Sequence, residues 1–267
     1  MERRRLPRVT LLISLPLITF LLIYMFYTPA LPPRGPSRVI RAEHTACAFR
    51  VLYYDPLALE HPNDTLLRVI RDVVVEHGGC IDAFIGRAAT LAPLMNISRY
   101  DIVVIRAHGG IWRGKGFYFA TGVGVGEAPG VPRSLFERLV KEGAVEAGSP
   151  AVWGRSGLIV APEYIVVGAS FFKHVRFRQG AVVILASCNS LDDPRFVRAV
   201  LSAGARAYIG WAGDVTPADI DAVLPKLVDM LAAHLSDPCE AAKLFMMRLG
   251  GLLATSTGAV MSVVCGG

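Results

Sequence analysis

Hydrophobic positions along the chain form two kinds of block that alternate. Apolar runs of strand length lie at 47–54, 81–85, 101–107, 181–187 and 205–210. Apolar residues at helical spacing lie between or after these runs, at 63–77, 88–95, 133–142, 193–203, 217–235 and 238–249. The less regular segments 116–125 and 161–170 favour hairpin or edge strands. This alternation predicts an α/β domain whose mostly parallel sheet is covered by helices on both faces.

Two of the strand-like runs, 101–107 (DIVVIRA) and 181–187 (AVVILAS), are apolar on both faces, which is typical of central strands in a parallel sheet. The first run leads directly into His108 and Gly109, and the second leads directly into Cys188. Open parallel sheets form their binding sites just beyond the carboxyl ends of the strands. If the two strands are neighbours, about 4.8 Å apart, these side chains can face one substrate bond.

His108 and Cys188 are the residue types of a nucleophilic site. A thiolate is a strong nucleophile, and a nearby imidazole promotes that form or protonates a leaving amine. The backbone N–H groups of Gly109 and Cys188 would then form an oxyanion hole. The alternative is structural, because free cysteines are often buried and His-Gly-Gly also suits a turn that ends a strand. The spacing of the two residues leaves both interpretations open.

The chain begins with a different pattern. Residues 9–27 carry no charge over 19 positions, which at about 1.5 Å per residue nearly spans a hydrocarbon core of roughly 30 Å. Four arginines in residues 1–8 favour a cytoplasmic N-terminus, so 9–27 is interpreted as a transmembrane signal-anchor that places the following domain outside the cell membrane. A cleaved signal peptide is the alternative, although its apolar core usually has only about 7–15 residues. The Pro-rich segment 28–46 predicts an extended linker.

Composition and charge exclude several classes of function. The chain has 267 residues, and its 53% hydrophobic content excludes a disordered protein. The net charge of +6 lies entirely in residues 1–41, because the rest of the chain carries 21 basic and 21 acidic side chains. Without a basic stripe on the folded part, no nucleic-acid partner is expected. Gly122, Gly124 and Gly126 lack the Gly-Lys-Ser/Thr of a phosphate loop and the histidines lack metal-ligand spacing, so no cofactor or metal is expected.

The five cysteines fit two disulfides and one free thiol outside the cytoplasm. Cys47 and Cys80 begin the first two predicted strands, which could be adjacent in the sheet. Cys239 and Cys265 would tie down the C-terminal segment 250–267, whose weak hydropathy favours a buried terminal element over a second membrane span. This pairing leaves Cys188 free, and it is a hypothesis because spacing does not determine connectivity.

The order of these motifs resembles that of the caspase-like superfamily of cysteine peptidases (clan CD). In that group an apolar strand ends in His-Gly and a later apolar strand ends in Ala/Ser-Cys, as at His108-Gly109 and Ser187-Cys188. The segment YIGWAGDV at 208–215 is similar to the one that follows the catalytic-cysteine strand in gingipain-like and CHAT domains. The resemblance covers 47–235 in its order of elements. Its pattern is closest to gingipain-like, clostripain-like and CHAT domains, but the motifs are short and match the superfamily better than any one family.

The resemblance implies a three-layer α/β sandwich over 47–267, with His108 and Cys188 as the catalytic dyad of an endopeptidase that acts on a protein or peptide. The sequence LASCNS lacks the Gln-Ala-Cys-Arg-Gly signature of caspases, so specificity for Asp is not implied. Several relatives place a residue of the primary specificity pocket where Asp214 stands, and an acid there would favour cleavage after Lys or Arg. Asp214 equally suits a cap on the helix that begins near Pro217.

The superfamily also contains inactive members. The alternative function is therefore a catalytically silent binding or scaffold module displayed outside the membrane. The sequence does not determine the oligomeric state.

Overall fold

The computed structural model describes residues 36–41, 46–112, 114–124, 127–148, 151–154, 157–160, 164–249 and 255–266. The predicted basic N-terminus (1–8), the predicted membrane segment (9–27) and the linker up to residue 35 lie outside the described residues. Within the described ranges, no helix has both the length and the apolar character needed to cross a membrane.

Strands and helices alternate along most of the described chain. The strands are β1 (Ser37–Ile40), β2 (Arg50–Asp55), β3 (Cys80–Gly86), β4 (Ile102–Arg106), β5 (Gly109–Trp112), β6 (Gly116–Gly124), β7 (Val145–Gly148), β8 (Ala151–Gly154), β9 (Gly157–Val160), β10 (Tyr164–Gly168), β11 (Val182–Ala186), β12 (Ala207–Ala212) and β13 (Val260–Cys265). The helices are α1 (Asp64–Glu76), α2 (Leu91–Met95), α3 (Arg133–Lys141), α4 (Pro194–Ser202), α5 (Pro217–Ala233) and α6 (Pro238–Leu249), with short 3-10 turns at Pro56–Leu59, Ile97–Arg99 and Ala169–Lys173.

Seven of the described strands form the central sheet, in the order β1-β3-β2-β4-β11-β12-β13. The five inner strands are parallel, and the two edge strands, β1 and β13, run antiparallel to their neighbours. Every residue of β4 and β11 is buried, because both faces of the sheet are covered at its centre. The predicted α/β class with a mostly parallel central sheet is confirmed.

Two apolar cores lie on opposite faces of the central sheet, since successive side chains of a strand point to opposite sides. Val51 and Tyr53 of β2 belong to the core that contains residues of α1, α5 and α6. Leu52 and Tyr54 belong to the core that contains residues of α2, α3 and α4, together with β6 and β10 of a second sheet. Helices therefore cover both faces of the sheet, and the second sheet adds to one of the outer layers.

Two regions differ from the strands that the sequence pattern predicts. β1 lies inside the range 28–46 assigned to the linker and pairs with β3, so the central sheet extends to residues before 47. Its residues are mostly exposed, which leaves no apolar run to recognise. β6 and β10 lie where the pattern favours a hairpin or edge strands, and they belong to a separate sheet with the order β5-β6-β10-β7. The sequence of β5, GGIW, is too short and too rich in glycine to indicate a strand.

Two disulfides connect the ends of elements in this domain. Cys47 is bonded to Cys80 at the start of β3, and Cys239 in α6 is bonded to Cys265 in β13, with Cα–Cα distances of 5.7 and 5.9 Å. These are the pairs proposed from the sequence, and Cys188 is the free cysteine. The described part of the C-terminal segment contributes β13, an edge strand in which Met261 is buried and the other residues are exposed or partly buried, rather than a fully buried element.

One thiol is expected to react when the chain, produced in an oxidising compartment, is denatured without reductant, because only Cys188 is unpaired. Mass spectrometry after maleimide labelling would count it, and five labels would exclude both disulfides. Reduction is expected to lower the free energy of unfolding by about 2–5 kcal/mol for each bond, because the reduced unfolded chain gains conformational freedom. Urea unfolding of Cys239→Ser/Cys265→Ser beside the oxidised chain would measure this loss for the second bond.

Candidate active site

The sheet topology places the two predicted catalytic residues at one edge of the central sheet. β4 and β11 are neighbouring parallel strands, and Arg106 lies opposite Ala186 at their carboxyl ends. The chain continues to His108 from the first strand and to Cys188 from the second. Both residues line one cavity of about 640 Å³, and Gly109 and Asp214 line the same cavity. The structure thus brings together all four residues that the sequence analysis selects for the site.

The Cys188 thiol is half-buried and held by the backbone of the neighbouring loop. Its Sγ donates to the Val215 carbonyl oxygen at 3.3 Å, and the Val215 N–H donates to Sγ at 3.4 Å. Burial is the largest influence on this thiol and raises its pKa; the Val215 N–H acts in the opposite direction, and the Asp214 carboxylate raises the pKa further. Among the hydrogen bonds of the described residues, none joins this thiol to His108. The resting thiol therefore carries its proton at neutral pH.

The residue after the nucleophile candidate fixes the loop geometry. Asn189 has φ of 57°, a left-handed conformation that Asn tolerates better than most residues. Its N–H donates to Gly213 O at 2.8 Å, and its side-chain amide donates to Asp214 Oδ1 at 2.7 Å. The loop after β11 and the loop after β12 are thus bonded to each other at the residue next to Cys188.

The His108 imidazole is half-buried and lies beside two residues of the loop that follows β2. Its Nε2 is 3.6 Å from Glu60 Oε2, and its ring centre is 6.3 Å from that of His61. Glu60 also accepts a hydrogen bond from the Tyr164 hydroxyl. Burial acts to raise the pKa of Glu60, but the contacts with His108 and Tyr164 outweigh it and lower that pKa. A carboxylate in this position stabilises and orients a protonated His108.

Glu60 is a residue that the sequence analysis does not select, although a signal for it exists. The loop at residues 56–62 follows the carboxyl end of β2, and β2 is the neighbour of β4. The rule that places sites beyond the carboxyl ends of parallel strands therefore applies to this loop as well. His61 is exposed in the same loop and lines the cavity. Burial and the charges of His108 and Arg106 lower the pKa of His61.

Gly109 occupies a position where a side chain has no room. A Cβ at this residue would lie 2.0 Å from Ser187 Oγ and 2.8 Å from the Phe117 ring. Ala120 N–H donates to His108 O, so in the antiparallel ladder the pair formed by Gly109 and Phe119 is a non-hydrogen-bonded one. The Gly109 N–H therefore points away from β6. This orientation is compatible with the predicted role in an oxyanion hole.

Asp214 does not cap the following helix. The N-cap of α5 is Thr216, whose hydroxyl accepts from the Asp219 N–H at 3.2 Å. Asp214 is instead exposed at the cavity, with Asn189 bonded to its carboxylate and the Thr257 hydroxyl bonded to its carbonyl oxygen. The capping alternative is excluded, and the carboxylate remains accessible to a cationic group.

A buried ion network lies directly before the His108 loop. Arg106 is fully buried and donates to both carboxylate oxygens of Asp221 in α5, at 2.7 and 2.9 Å. Its Nη1 donates to Asp55 at 3.0 Å and to the His61 carbonyl oxygen at 3.1 Å. Burial raises the pKa of Asp55, although the positive charge of Arg106 acts to lower it. This network joins β2, β4 and α5 and holds the loop that carries Glu60.

The site therefore combines a thiol, an imidazole with a carboxylate behind it, a backbone N–H and an exposed acid. These groups have the chemistry for acyl transfer, with the thiol as nucleophile and the imidazole as proton donor and acceptor. Among the described residues, no cluster of three or more His, Cys, Asp or Glu side chains is arranged to hold a metal ion. The sequence matches no protein-family model and no curated protein, so its side chains are the basis for assigning a function.

Proposed function

We propose that the protein is a cysteine endopeptidase that uses His108 and Cys188 as a dyad and cleaves after Lys or Arg. The observation that carries this proposal is that His108 and Cys188 leave the carboxyl ends of adjacent parallel strands and line one cavity. The caspase-like resemblance supports it, because that superfamily uses a His-Gly strand end and a Cys strand end for peptide hydrolysis.

In this mechanism Cys188 Sγ attacks the scissile carbonyl carbon while the thiol proton passes to His108. The developing oxyanion is stabilised by the N–H groups of Gly109 and Cys188. His108 then gives its proton to the leaving nitrogen as the C–N bond breaks. Water attacks the resulting thioester and gives a proton to His108. The C–S bond then breaks, His108 returns the proton to Cys188 Sγ, and the acid product leaves. Glu60 stabilises the imidazolium form of His108 in the first and third of these proton movements.

Asp214 supplies the basis for specificity. It is the one carboxylate among the cavity-lining residues of the described chain, and its side chain is exposed. A Lys or Arg side chain that pairs with Asp214 also removes the carboxylate's unfavourable effect on the Cys188 thiolate. Binding of a basic substrate would in this way lower the pKa of the thiol that attacks it.

We further propose that residues 9–27 anchor this domain to the cell membrane from the extracytoplasmic side. Disulfides form and persist in oxidising compartments, and the bonds Cys47–Cys80 and Cys239–Cys265 suit that placement.

A catalytically silent binding module is the second candidate. The observation that favours it is the state of the Cys188 thiol. Its pKa is raised and it is hydrogen-bonded to the backbone of Val215, and both features are typical of an unreactive thiol. In this alternative the cavity and Asp214 would bind a basic peptide without cleaving it.

Covalent labelling of the full-length chain with arginyl-chloromethylketone, followed by peptide mass mapping, tests the two candidates. We expect Cys188 to be labelled faster by this reagent than by the phenylalanyl analogue, because the guanidinium pairs with Asp214. Asp214→Asn is expected to remove the difference between the two reagents, and His108→Ala is expected to slow both reactions.

The same labelling is expected to depend on pH. Only the thiolate reacts, and the pKa of the Cys188 thiol is raised. The labelling rate with the phenylalanyl reagent should therefore continue to rise at pH values where an ordinary thiol is already fully ionised.

The control is free cysteine treated with the same reagents. If Cys188 reacts no faster than free cysteine with either reagent while the circular dichroism spectrum shows an intact fold, the peptidase proposal is excluded and the binding module remains.

A further inference from the structure

An exposed aromatic side chain lies at the cavity beside His108. Trp112, at the end of β5, is 40% exposed, and the adjacent Ile111 is 47% exposed. Both line the cavity. Large apolar side chains that remain exposed next to a site are typical of surfaces that bind a ligand.

The Trp112 indole is held in place by a set of contacts from the second sheet. The Tyr118 ring meets it edge-on at 5.8 Å, and the Lys115 ammonium lies 4.9 Å from its ring centre. Lys115 is paired with Glu146, which also accepts from the Tyr118 hydroxyl at 3.1 Å. Lys115 does not line the cavity, whereas Trp112 and Tyr118 do. The indole is thus fixed on one side and presented to the cavity on the other.

The second sheet continues this apolar surface. Ala120 and Val166 lie opposite each other on β6 and β10, and both line the cavity. Gly148 on β7 makes room for the indole, because a Cβ there would lie 2.8 Å from Val166 and 3.4 Å from Trp112. This part of the cavity carries no charged side chain among the described lining residues, in contrast to the part formed by Asp214.

The strand order places the nucleophile candidate between these two regions. His108 and Trp112 follow β4, Cys188 follows the adjacent β11, and Asp214 follows β12, which is next in the sheet. β5 is also the edge strand of its sheet, and the ladder alternation turns the backbone groups of Gly109 and Ile111 outward from β6. An extended peptide across the cavity would reach the acid and the indole at the same time, with β5 available for backbone hydrogen bonds.

We propose that Trp112 forms the floor of a second substrate subsite, which takes a bulky apolar or aromatic side chain adjacent to the basic residue of the peptide. This inference rests on the proposed function for its substrate class. The Trp112 face supplies aromatic packing and excludes water, while Asp214 pairs with the basic side chain.

Calorimetric peptide binding to full-length Cys188→Ala tests the subsite without turnover. The probes are acetyl-Ala-Phe-Arg-Ala-amide, acetyl-Ala-Ala-Arg-Phe-amide and acetyl-Ala-Ser-Arg-Ala-amide, which place an aromatic residue before the Arg, after it, or nowhere. We expect one of the two Phe peptides to bind about 5- to 10-fold more tightly than the Ser peptide. In the Cys188→Ala background, a second substitution Trp112→Ala is expected to abolish this preference. The substitution Trp112→Phe is expected to retain most of it. Met247→Ala, at an exposed position on α6 that does not line the cavity, is the matched control and should change nothing.

Equal affinity for all three peptides, or a preference that survives Trp112→Ala, would overturn the subsite. Cleavage assays with the wild-type chain separate this outcome from failure of the proposed function. If no peptide is cleaved while the preference that depends on Trp112 persists, the peptidase proposal fails and the subsite stands.

Discussion

Replacing His108 with Ala is expected to lower kcat/KM for hydrolysis of an arginyl peptide by about 10²–10⁴-fold, with most of the loss in kcat. In the proposed mechanism the imidazole is the proton donor for the leaving nitrogen, and its Nε2 lies 3.6 Å from the Glu60 carboxylate. The same proposal assigns peptide binding to Asp214 and the cavity walls, so KM should change little. Initial rates with a fluorogenic arginyl substrate would measure both parameters.

Two further variants distinguish a catalytic loss from a structural one. Glu60→Gln keeps the size of the side chain but removes its charge, so we expect a smaller loss in kcat than the one caused by His108→Ala. His77→Ala is the matched control, because His77 pairs with Asp229 on the surface between α1 and α5 and does not line the cavity. If the His108 and His77 variants retain equal activity, His108 takes no part in catalysis.

The parts of the site that could be predicted share one physical origin. His108, Cys188 and Asp214 follow runs of apolar residues long enough to identify buried parallel strands, and such strands bring their carboxyl ends together. The starts of helices can also be predicted from the sequence, because α1 begins after the capping residue Asn63 and α5 begins after Thr216 with Pro217 in its first turn. Periodicity and end signals are local, and local patterns are what a single sequence displays.

Other parts depend on contacts between distant segments. Glu60 reaches His108 across 48 positions of sequence, and Tyr164 bonds to Glu60 from a different sheet. Trp112 lies in a strand, GGIW, whose existence depends on its pairing with β6. Arg106 has the appearance of a polar interruption in the run DIVVIRA, and its partners Asp55 and Asp221 stand 51 and 115 positions away. No local pattern indicates such pairs, because charge pairing in a core is set by tertiary packing.

Replacing Arg106 with Leu is expected to lower the free energy of unfolding by about 3–5 kcal/mol, because it leaves the buried Asp55 carboxylate without its counter-charge. Arg106 is 1% exposed, and Asp55 is 2% exposed with Tyr53 as a remaining hydrogen-bond donor. Urea unfolding monitored by circular dichroism would measure the loss. Arg133→Leu breaks the exposed pair with Glu137 and serves as the control, with an expected change below about 1 kcal/mol.

The loss caused by Arg106→Leu is expected to depend on pH in a defined direction. Burial already raises the pKa of Asp55, and removal of Arg106 raises it further, so the folded variant binds a proton at pH values where its unfolded chain does not. Stability then falls as pH rises, since the native state holds more protons than the unfolded state. The loss in free energy of unfolding relative to wild type should therefore become smaller as the pH is lowered from neutral to mildly acidic. At neutral pH, the double variant Arg106→Leu/Asp55→Asn should be more stable than Arg106→Leu alone. A deficit that is independent of pH and unchanged in the double variant would mean that lost packing, not an unpaired charge, causes the destabilisation.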